Sequence, residues 1–169
     1  MRRDLSKTIP LLSKVLFSAL WGGLCAAQIA APLLAQLGDR SSASLLYSLF
    51  SPVCHQDPGR SFSICGYSLA VCHRCAGIYW GLLLGVWFPF ALIGVLESPL
   101  RRRAWVLCAA APMLLDAGLQ FTGWWGATAV TRAITGFVFG ALLSSLLVPA
   151  FTEILHVHSW KRRPADSKA

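Results

Sequence analysis

The chain is short, apolar and poor in charged residues. Of its 169 residues, 56% are hydrophobic and only 13% are charged, and the mean hydropathy is +0.59. A soluble domain normally carries roughly 25% charged and 45–50% apolar residues, so this chain has too little polar surface to cover a globule in water. The composition excludes an ordinary soluble enzyme and a disordered chain, and it predicts a single integral membrane domain over residues 1–169.

The formal net charge of +8 would suggest a nucleic-acid partner in a soluble protein. Here the basic residues stand in blocks between apolar stretches, and no basic stripe marks one face of a folded element. The charge therefore indicates membrane topology, with the lipid bilayer as the first partner and no nucleic acid.

Four apolar stretches reach or approach the roughly 20 residues that a helix needs to cross a bilayer. Backbone groups in hydrocarbon find hydrogen bonds only within helices, so the expected fold is an all-α membrane protein. Four transmembrane helices are predicted at about residues 15–37, 68–96, 104–126 and 133–155. The first stretch exceeds the apolar core of a signal peptide, about 7–15 residues, which favours an uncleaved helix over an export signal.

The positions of Lys and Arg predict the orientation, because cytoplasmic loops are enriched in these residues. Most of them lie before the first stretch, between the second and third, or after the fourth: Arg2, Arg3, Lys7, Lys14, Arg101, Arg102, Arg103, Lys161, Arg162, Arg163 and Lys168. We therefore expect a multi-pass protein of the inner (plasma) membrane with cytoplasmic N- and C-termini. The loop 38–67 is then on the outer side.

The loop 38–67 begins with apolar residues at the spacing of one helix face, which predicts a short helix lying on the outer membrane interface. These residues are Ala43, Leu46, Tyr47 and Phe50. Ser51-Pro52 is expected to end this helix.

Small residues recur every fourth position on the second and fourth predicted transmembrane helices. They are Gly77, Gly81 and Gly85 on one, and Gly136, Gly140 and Ser144 on the other. This spacing lets helix backbones approach closely in lipid, so the two helices are predicted to touch along these faces.

Cysteine and histidine concentrate between positions 54 and 75, which hold four of the six cysteines and two of the four histidines. If the second transmembrane helix begins near Ser68, Cys72 and Cys75 project from one face of its first turns. The positive end of that helix and the charge of Arg74 favour the thiolate form, which binds metals and attacks disulfides.

The outer loop adds Cys54 and His55 to this pair. Thiolates and an imidazole are typical ligands of tetrahedral zinc, so Cys54, His55, Cys72 and Cys75 are the candidate ligands of a transition metal, zinc first. Adjacent residues such as Cys54 and His55 rarely reach one ion together.

Two other interpretations remain open, and a transporter is disfavoured. The cysteines could pair as structural disulfides in an oxidising compartment, in a membrane subunit that binds a protein partner at its outer face. Cys72 and Cys75 could instead form the redox pair of a quinone-coupled thiol-disulfide oxidoreductase. A transporter would need to form a homo-oligomer, because four helices leave little room for a pathway.

Asp116 lies deep in the third apolar stretch, where a carboxylate costs at least ~2.5 kcal/mol and needs a partner or a role. The predicted topology brings Asp116, Gln120, Arg74 and Arg132 to the outer half of the bundle. One interpretation is an ion pair of Asp116 with Arg132 or Arg74 that fixes helix register. The other is a polar cavity below the cysteines that relays protons or holds a lipid headgroup or a quinone.

The sequence contains a double motif, Cys54-His55-Gln56-x-Pro58-x-Arg60-Ser61-Phe62 and Cys72-x-Arg74-Cys75-x-Gly77-x-Tyr79-x-Gly81. In this it resembles a family of small bacterial and archaeal predicted membrane proteins catalogued as a domain of unknown function. The family's later portion is matched by Pro112, Asp116, Gln120, Arg132, Thr135 and Gly136. Ala117 departs from its Gly after Asp, and Val130-Thr131 departs from its Asn-rich approach to Arg.

The resemblance covers about half of the chain, roughly residues 47–140. It implies one composite site of Cys, His, Arg and Asp, in which the residues around the metal ligands are Arg60, Arg74, Asp116, Gln120 and Arg132. It supplies no reaction, and the sequence shows no catalytic triad, phosphate loop or H-E-x-x-H motif from which a reaction could be assigned.

Overall fold

The structure, a computed structural model, describes residues 2–87, 99–122, 126 and 128–161, and it is mostly helical. Five α-helices lie in these ranges: α1 (Arg2–Gln36), α2 (Arg40–Phe50), α3 (His73–Gly85), α4 (Pro99–Phe121) and α5 (Ala129–Lys161). A single-turn 3-10 helix at Pro58–Arg60 and two short strands, β1 (Ser63–Ile64) and β2 (Tyr67–Ser68), connect α2 to α3. The expected predominance of helix is confirmed.

In the described ranges, two helices are long and apolar enough to cross a membrane, at Pro10–Gln36 in α1 and Ala129–Val157 in α5. A shorter apolar stretch, Leu107–Gln120, lies within α4. The predicted second transmembrane helix corresponds to α3, and its last residues, 88–96, fall outside the described residues.

The helix predicted in the loop is α2. Asp39 caps its N-terminus, since the Asp39 Oδ1 accepts a hydrogen bond from the Ser42 N–H at 3.1 Å. Hydrogen bonding with Ser42 holds the pKa of the Asp39 carboxyl below its ordinary value. The helix ends at Phe50, as Ser51-Pro52 predicted, and Phe50 is buried in the cluster that includes Ala31 of α1.

Helix α3, which corresponds to the predicted second transmembrane helix, begins later than expected, at His73 rather than near Ser68. The residues before it form an antiparallel hairpin, in which Ser63 pairs with Ser68 and Ile64 with Tyr67. The residues that were predicted to form the first turn of the helix therefore pair as strands instead.

The hairpin turn has two central residues with positive φ, Cys65 at 53° and Gly66 at 84°. Positive φ at both positions is the geometry of a type I′ turn, which Gly adopts without strain because it has no Cβ. Strands of two residues are too short to show an alternating apolar pattern. The glycine of Cys65-Gly66 is the feature of the sequence that could have indicated the turn.

The last helix begins earlier than expected, at Ala129 rather than Ala133. Thr128 is the cause, because its Oγ1 accepts a hydrogen bond from the Thr131 N–H at 3.2 Å and so caps the helix N-terminus.

Helices α3 and α5 pack with their backbones in direct contact. A Cβ added to any of four glycines would overlap a carbonyl oxygen of the facing helix. These glycines are Gly77 and Gly81 on α3 and Gly136 and Gly140 on α5. The predicted contact of the two helices is confirmed, and it places the start of α3 beside the start of α5.

Candidate functional site

Three cysteines meet between the loop and the start of α3. The sulfur atoms of Cys54, Cys72 and Cys75 all lie within 4.8 Å of one another, and the group could hold a metal ion. Cys54 is buried, with 6% of its surface exposed, and the other two are half-buried. The Cys72 N–H also donates a hydrogen bond to the Cys54 Sγ at 3.2 Å. We refer to these residues as the three-cysteine cluster.

The start of α3 brings two of the three sulfurs together. Cys72 is the N-cap residue, with an extended backbone (φ −71°, ψ 164°), and its carbonyl accepts the first helical hydrogen bond from Ala76 at 2.9 Å. Cys75 lies in the first turn, the position that an N-cap side chain faces. The backbone N–H groups at the start of this helix favour the thiolate form of Cys72, its N-cap residue.

The loop is held against this helix start by two side chains. The Gln56 Nε2 donates hydrogen bonds to the carbonyl oxygens of Tyr47 at 2.6 Å and Ala70 at 2.9 Å. The Tyr47 hydroxyl donates to the Ser68 carbonyl oxygen at 2.5 Å, and burial raises the pKa of that phenol. These bonds connect α2, the segment that carries Cys54 and the segment that leads to α3.

We expect Gln56→Ala to release Cys54 from its buried position. Losing two hydrogen bonds to part-buried carbonyls costs about 2 kcal/mol locally, so alkylation of Cys54 by N-ethylmaleimide should accelerate roughly 30-fold. Peptide mass spectrometry of timed samples, taken with a chelator present so that no metal protects the thiol, measures that rate. Gln36→Ala, at the exposed end of α1, is the matched control, and an unchanged Cys54 rate in Gln56→Ala would contradict the role of this side chain.

A cavity of about 620 Å³ adjoins the three-cysteine cluster. The loop, α3, α4 and α5 all contribute to its wall. The lining residues are Val53, Cys54, His55, Asp57, Arg60, Cys72, Arg74, Cys75, Gln120 and Arg132. Four of the five residues predicted to surround the site are thus brought to one cavity from four parts of the chain, whereas Asp116 is not among its lining residues.

His55 occupies a different place from the other predicted ligands. It is exposed and lines the cavity, but its ring nitrogens are not part of the group formed by the three sulfurs. The side chains of adjacent residues leave the backbone in different directions, and the imidazole of His55 lies outside the group that the sulfur of Cys54 joins.

Among the described residues, two of the three arginines that line the cavity are paired with a carboxylate and the third is not. The Arg74 Nη2 donates to the Asp116 Oδ2 at 2.5 Å, and the Asp116 side chain is 7% exposed, which confirms the predicted ion pair with Arg74. The Arg60 Nε lies 3.4 Å from the Asp57 Oδ2, with both side chains exposed. Arg132 has no carboxylate partner among the described residues, and its buried Nε has no hydrogen-bond partner there.

Two site residues, and His73 beside Cys72, had no role in the sequence analysis. Gln56 carries the hydrogen bonds described above. Asp57 lines the cavity and accepts a hydrogen bond from the Gly59 N–H at 3.0 Å, a role that the Asp-Pro-Gly run, a turn signal, could have indicated. His73 is buried, and its ring packs edge-on against Phe62 with centroids 4.3 Å apart.

The remaining cysteines lie outside the three-cysteine cluster. Cys65 is exposed in the hairpin turn, Cys25 is buried in α1 and Cys108 is exposed on α4. All six cysteines lie in the described ranges and are free thiols.

Comparison with known proteins identifies the family. A family model described as "Predicted membrane protein (DUF2085)" matches residues 54–146. An uncharacterized protein of Methanocaldococcus jannaschii is 35% identical over 132 residues, which cover 75% of this chain and 84% of that protein. A second uncharacterized protein, of Methanothermobacter thermautotrophicus, is 31% identical over 108 residues, or 64% of this chain and 96% of that protein.

No solved structure matches the chain. The segment that the family model matches contains the whole three-cysteine cluster and every lining residue of the cavity except Val53. The chain belongs to the DUF2085 family of predicted membrane proteins.

Proposed function

We propose that this protein is a four-pass membrane protein whose outward-facing three-cysteine cluster binds a transition metal, zinc in the first place. The observation that carries the proposal is the convergence of three sulfurs within 4.8 Å. A disulfide joins two sulfurs and leaves the third without a partner. Zinc bound at about 2.3 Å from each sulfur holds its sulfurs roughly 3.8 Å apart, and the three sulfurs lie within 4.8 Å of one another.

The proposed ion has a fourth position that faces the cavity. Structural zinc sites are closed by four protein ligands, whereas sites with three protein ligands bind water or a substrate at the fourth position. In our proposal a water molecule or His55, which lines the same cavity, completes the coordination. Metal binding at this point would place an electrophile against a polar cavity, which is the arrangement of a reactive rather than a purely structural site.

The membrane part of the proposal comprises the four predicted crossings, both termini in the cytoplasm and the loop 38–67 outside. It is supported by the two described helices long enough to span a bilayer, in α1 and α5, and by the close packing of α3 on α5. The blocks of basic residues at the ends of the crossings support the orientation.

Metal analysis of the purified full chain tests the proposal. We expect roughly one zinc per chain in the wild type and a loss of most of it in Cys72→Ser, because a zinc site lacking one of its thiolates binds far more weakly. Cys65→Ser is the matched control, since Cys65 is an exposed thiol of the same loop outside the cluster. Absence of a stoichiometric ion, together with equal metal content in Cys72→Ser and Cys65→Ser, would refute metal binding.

A second candidate function is quinone-coupled thiol oxidation. The observation that favours it is the position of Cys72 and Cys75 one helical turn apart at the N-terminus of α3, where the thiolate form of Cys72 is stabilised. In this reaction the two thiols form a disulfide and lose two electrons and two protons to a quinone, which becomes a quinol.

Thiol alkylation separates the candidate functions. The metal site predicts that the cluster is alkylated only after a chelator removes the ion. The oxidoreductase predicts that a soluble quinone protects Cys72 and Cys75 from alkylation whether or not a chelator is present. A structural subunit with a locked disulfide predicts protection that ends only with a reductant.

A further inference from the structure

We propose that the cavity beside the three-cysteine cluster binds an oxyanion of the phosphate class, held by Arg132, Arg74 and Gln120. The inference adds a ligand class to the proposed metal site, and it rests on that site only for the position of the ligand beside the sulfurs. Its own basis is the charge and shape of the cavity.

Unpaired positive charge is the first observation. Among the described residues the two carboxylates near the cavity are engaged, Asp116 by Arg74 at 2.5 Å and Asp57 by Arg60 at 3.4 Å. Arg132 has no such partner there, although it lines the cavity. A guanidinium group beside a cavity is costly unless an acceptor meets it, so the unpaired charge of Arg132 suits the cavity to an anion.

The direction of the donors indicates the kind of anion. Arg60 comes from the loop, Arg74 from α3, Gln120 from α4 and Arg132 from α5, so N–H donors surround the cavity on several sides. A carboxylate offers two oxygens in one plane, whereas phosphate offers oxygens in tetrahedral directions that match such a ring of donors. The planar fork of Arg suits phosphate oxygens in particular.

The shape of the wall is a second, independent observation. A recess of about 140 Å³ is lined by Arg60, Arg74, Ala117 and Gln120, three of which also line the cavity of about 620 Å³. The recess therefore adjoins the larger space and is bounded by two guanidinium groups and an amide. We place the phosphate group where the recess opens into the larger cavity, between Arg74 and Gln120, which line both spaces, and Arg132, which lines the larger one. The larger cavity has the volume of a small-ligand site for the rest of the molecule. A neutral quinone would leave these cations without a partner.

Calorimetric titration with inorganic phosphate, using the full chain in a neutral detergent, tests the inference. We expect saturable binding that weakens with salt, and a loss of affinity of roughly tenfold or more in Arg132→Gln. Arg132→Lys keeps the positive charge but not the planar guanidinium group, and it should lose less affinity for phosphate. Arg40→Gln is the matched control, because Arg40 is exposed on α2 and lines neither cavity. Equal affinities in Arg132→Gln and Arg40→Gln would overturn the proposal.

A second arm distinguishes the source of the phosphate. Native mass spectrometry compares nanodiscs of phosphatidylglycerol with nanodiscs of phosphatidylcholine. Retention of phosphatidylglycerol that Arg132→Gln abolishes supports a lipid headgroup, and binding of free phosphate supports a soluble ligand. Failure to bind either probe overturns the inference. If Arg132→Gln does not fold, Gln120→Ala removes a donor of the same cavity and serves in its place.

The metal and the anion can fail separately. Cys72→Ser should lose zinc and still bind phosphate or phosphatidylglycerol within about threefold of the wild type, because the arginines remain. Arg132→Gln should keep its zinc while it loses the anion. Loss of phosphate or phosphatidylglycerol binding in Cys72→Ser would show that the sulfurs, rather than the arginines, create the anion site.

Discussion

Replacing Asp116 with Leu is expected to destabilise the protein by about 3 kcal/mol, because it leaves the Arg74 guanidinium half-buried without its counter-ion. The ion pair spans α3 and α4, with the Nη2 and Oδ2 atoms 2.5 Å apart and the side chains 25% and 7% exposed. Removing one partner of a buried ion pair costs more stability than the intact pair contributes, because the remaining charge is poorly solvated by water.

A double-mutant cycle measures this coupling. Thermal unfolding in detergent, followed by far-ultraviolet circular dichroism, should show the melting temperature falling by roughly 6–12 °C in Asp116→Leu. Arg74→Leu should also lower the melting temperature, because it leaves the buried Asp116 side chain without its counter-ion. The double variant should recover most of the loss, since no buried charge remains. Arg40→Leu controls for loss of an exposed positive charge, and a double variant as unstable as the sum of the single ones would contradict the pairing.

Gly81→Ala is expected to destabilise the contact between α3 and α5 by about 2 kcal/mol. A Cβ at this position would overlap the carbonyl oxygen of Phe137 and lie 2.8 Å from the backbone nitrogen of Ala141. Both obstacles are backbone atoms, so relief requires the helices to separate. Overpacking costs about 1–3 kcal/mol, and it outweighs the gain of up to ~1 kcal/mol that Ala has over Gly inside a helix.

Gly118→Ala is the matched control, because a Cβ at Gly118 in α4 meets nothing within 4 Å. The same substitution there should leave stability unchanged or raise it by up to ~1 kcal/mol through helix propensity alone. The two variants are therefore expected to move the melting temperature in different directions. Equal shifts in Gly81→Ala and Gly118→Ala would mean that the close approach of α3 and α5 does not limit stability.

Much of the fold follows from one-dimensional patterns. The apolar stretches predicted helices where α1, α3, α4 and α5 lie, and the spacing of Ala43 to Phe50 predicted α2. Small residues at every fourth position predicted which two helices meet, because side-chain size limits how near two backbones can come. Each of these properties repeats along the chain and needs no knowledge of distant contacts.

The boundaries of the elements depended on local hydrogen bonds that no pattern revealed. The hairpin at Cys65-Gly66 delays α3 to His73, because strand pairing uses the residues that would have formed its first turn. The hydroxyl of Thr128 starts α5 at Ala129. Two-residue strands and single caps are too short to give a periodic signal, so these features were decided by the folded chain.

The candidate site, like the fold, was predictable from the sequence only in part. The sequence by itself determined the chemistry: two thiols one helical turn apart, Cys72 and Cys75, and a carboxylate, Asp116, too deep in an apolar helix to stand without a partner. Only the tertiary structure decided that Cys54 joins these thiols while His55 lies apart, and that the partner of the carboxylate is Arg74. The physical reason is that such distances join residues remote in sequence, and they depend on how closely α3 packs on α5 and on the hydrogen bonds that hold the loop.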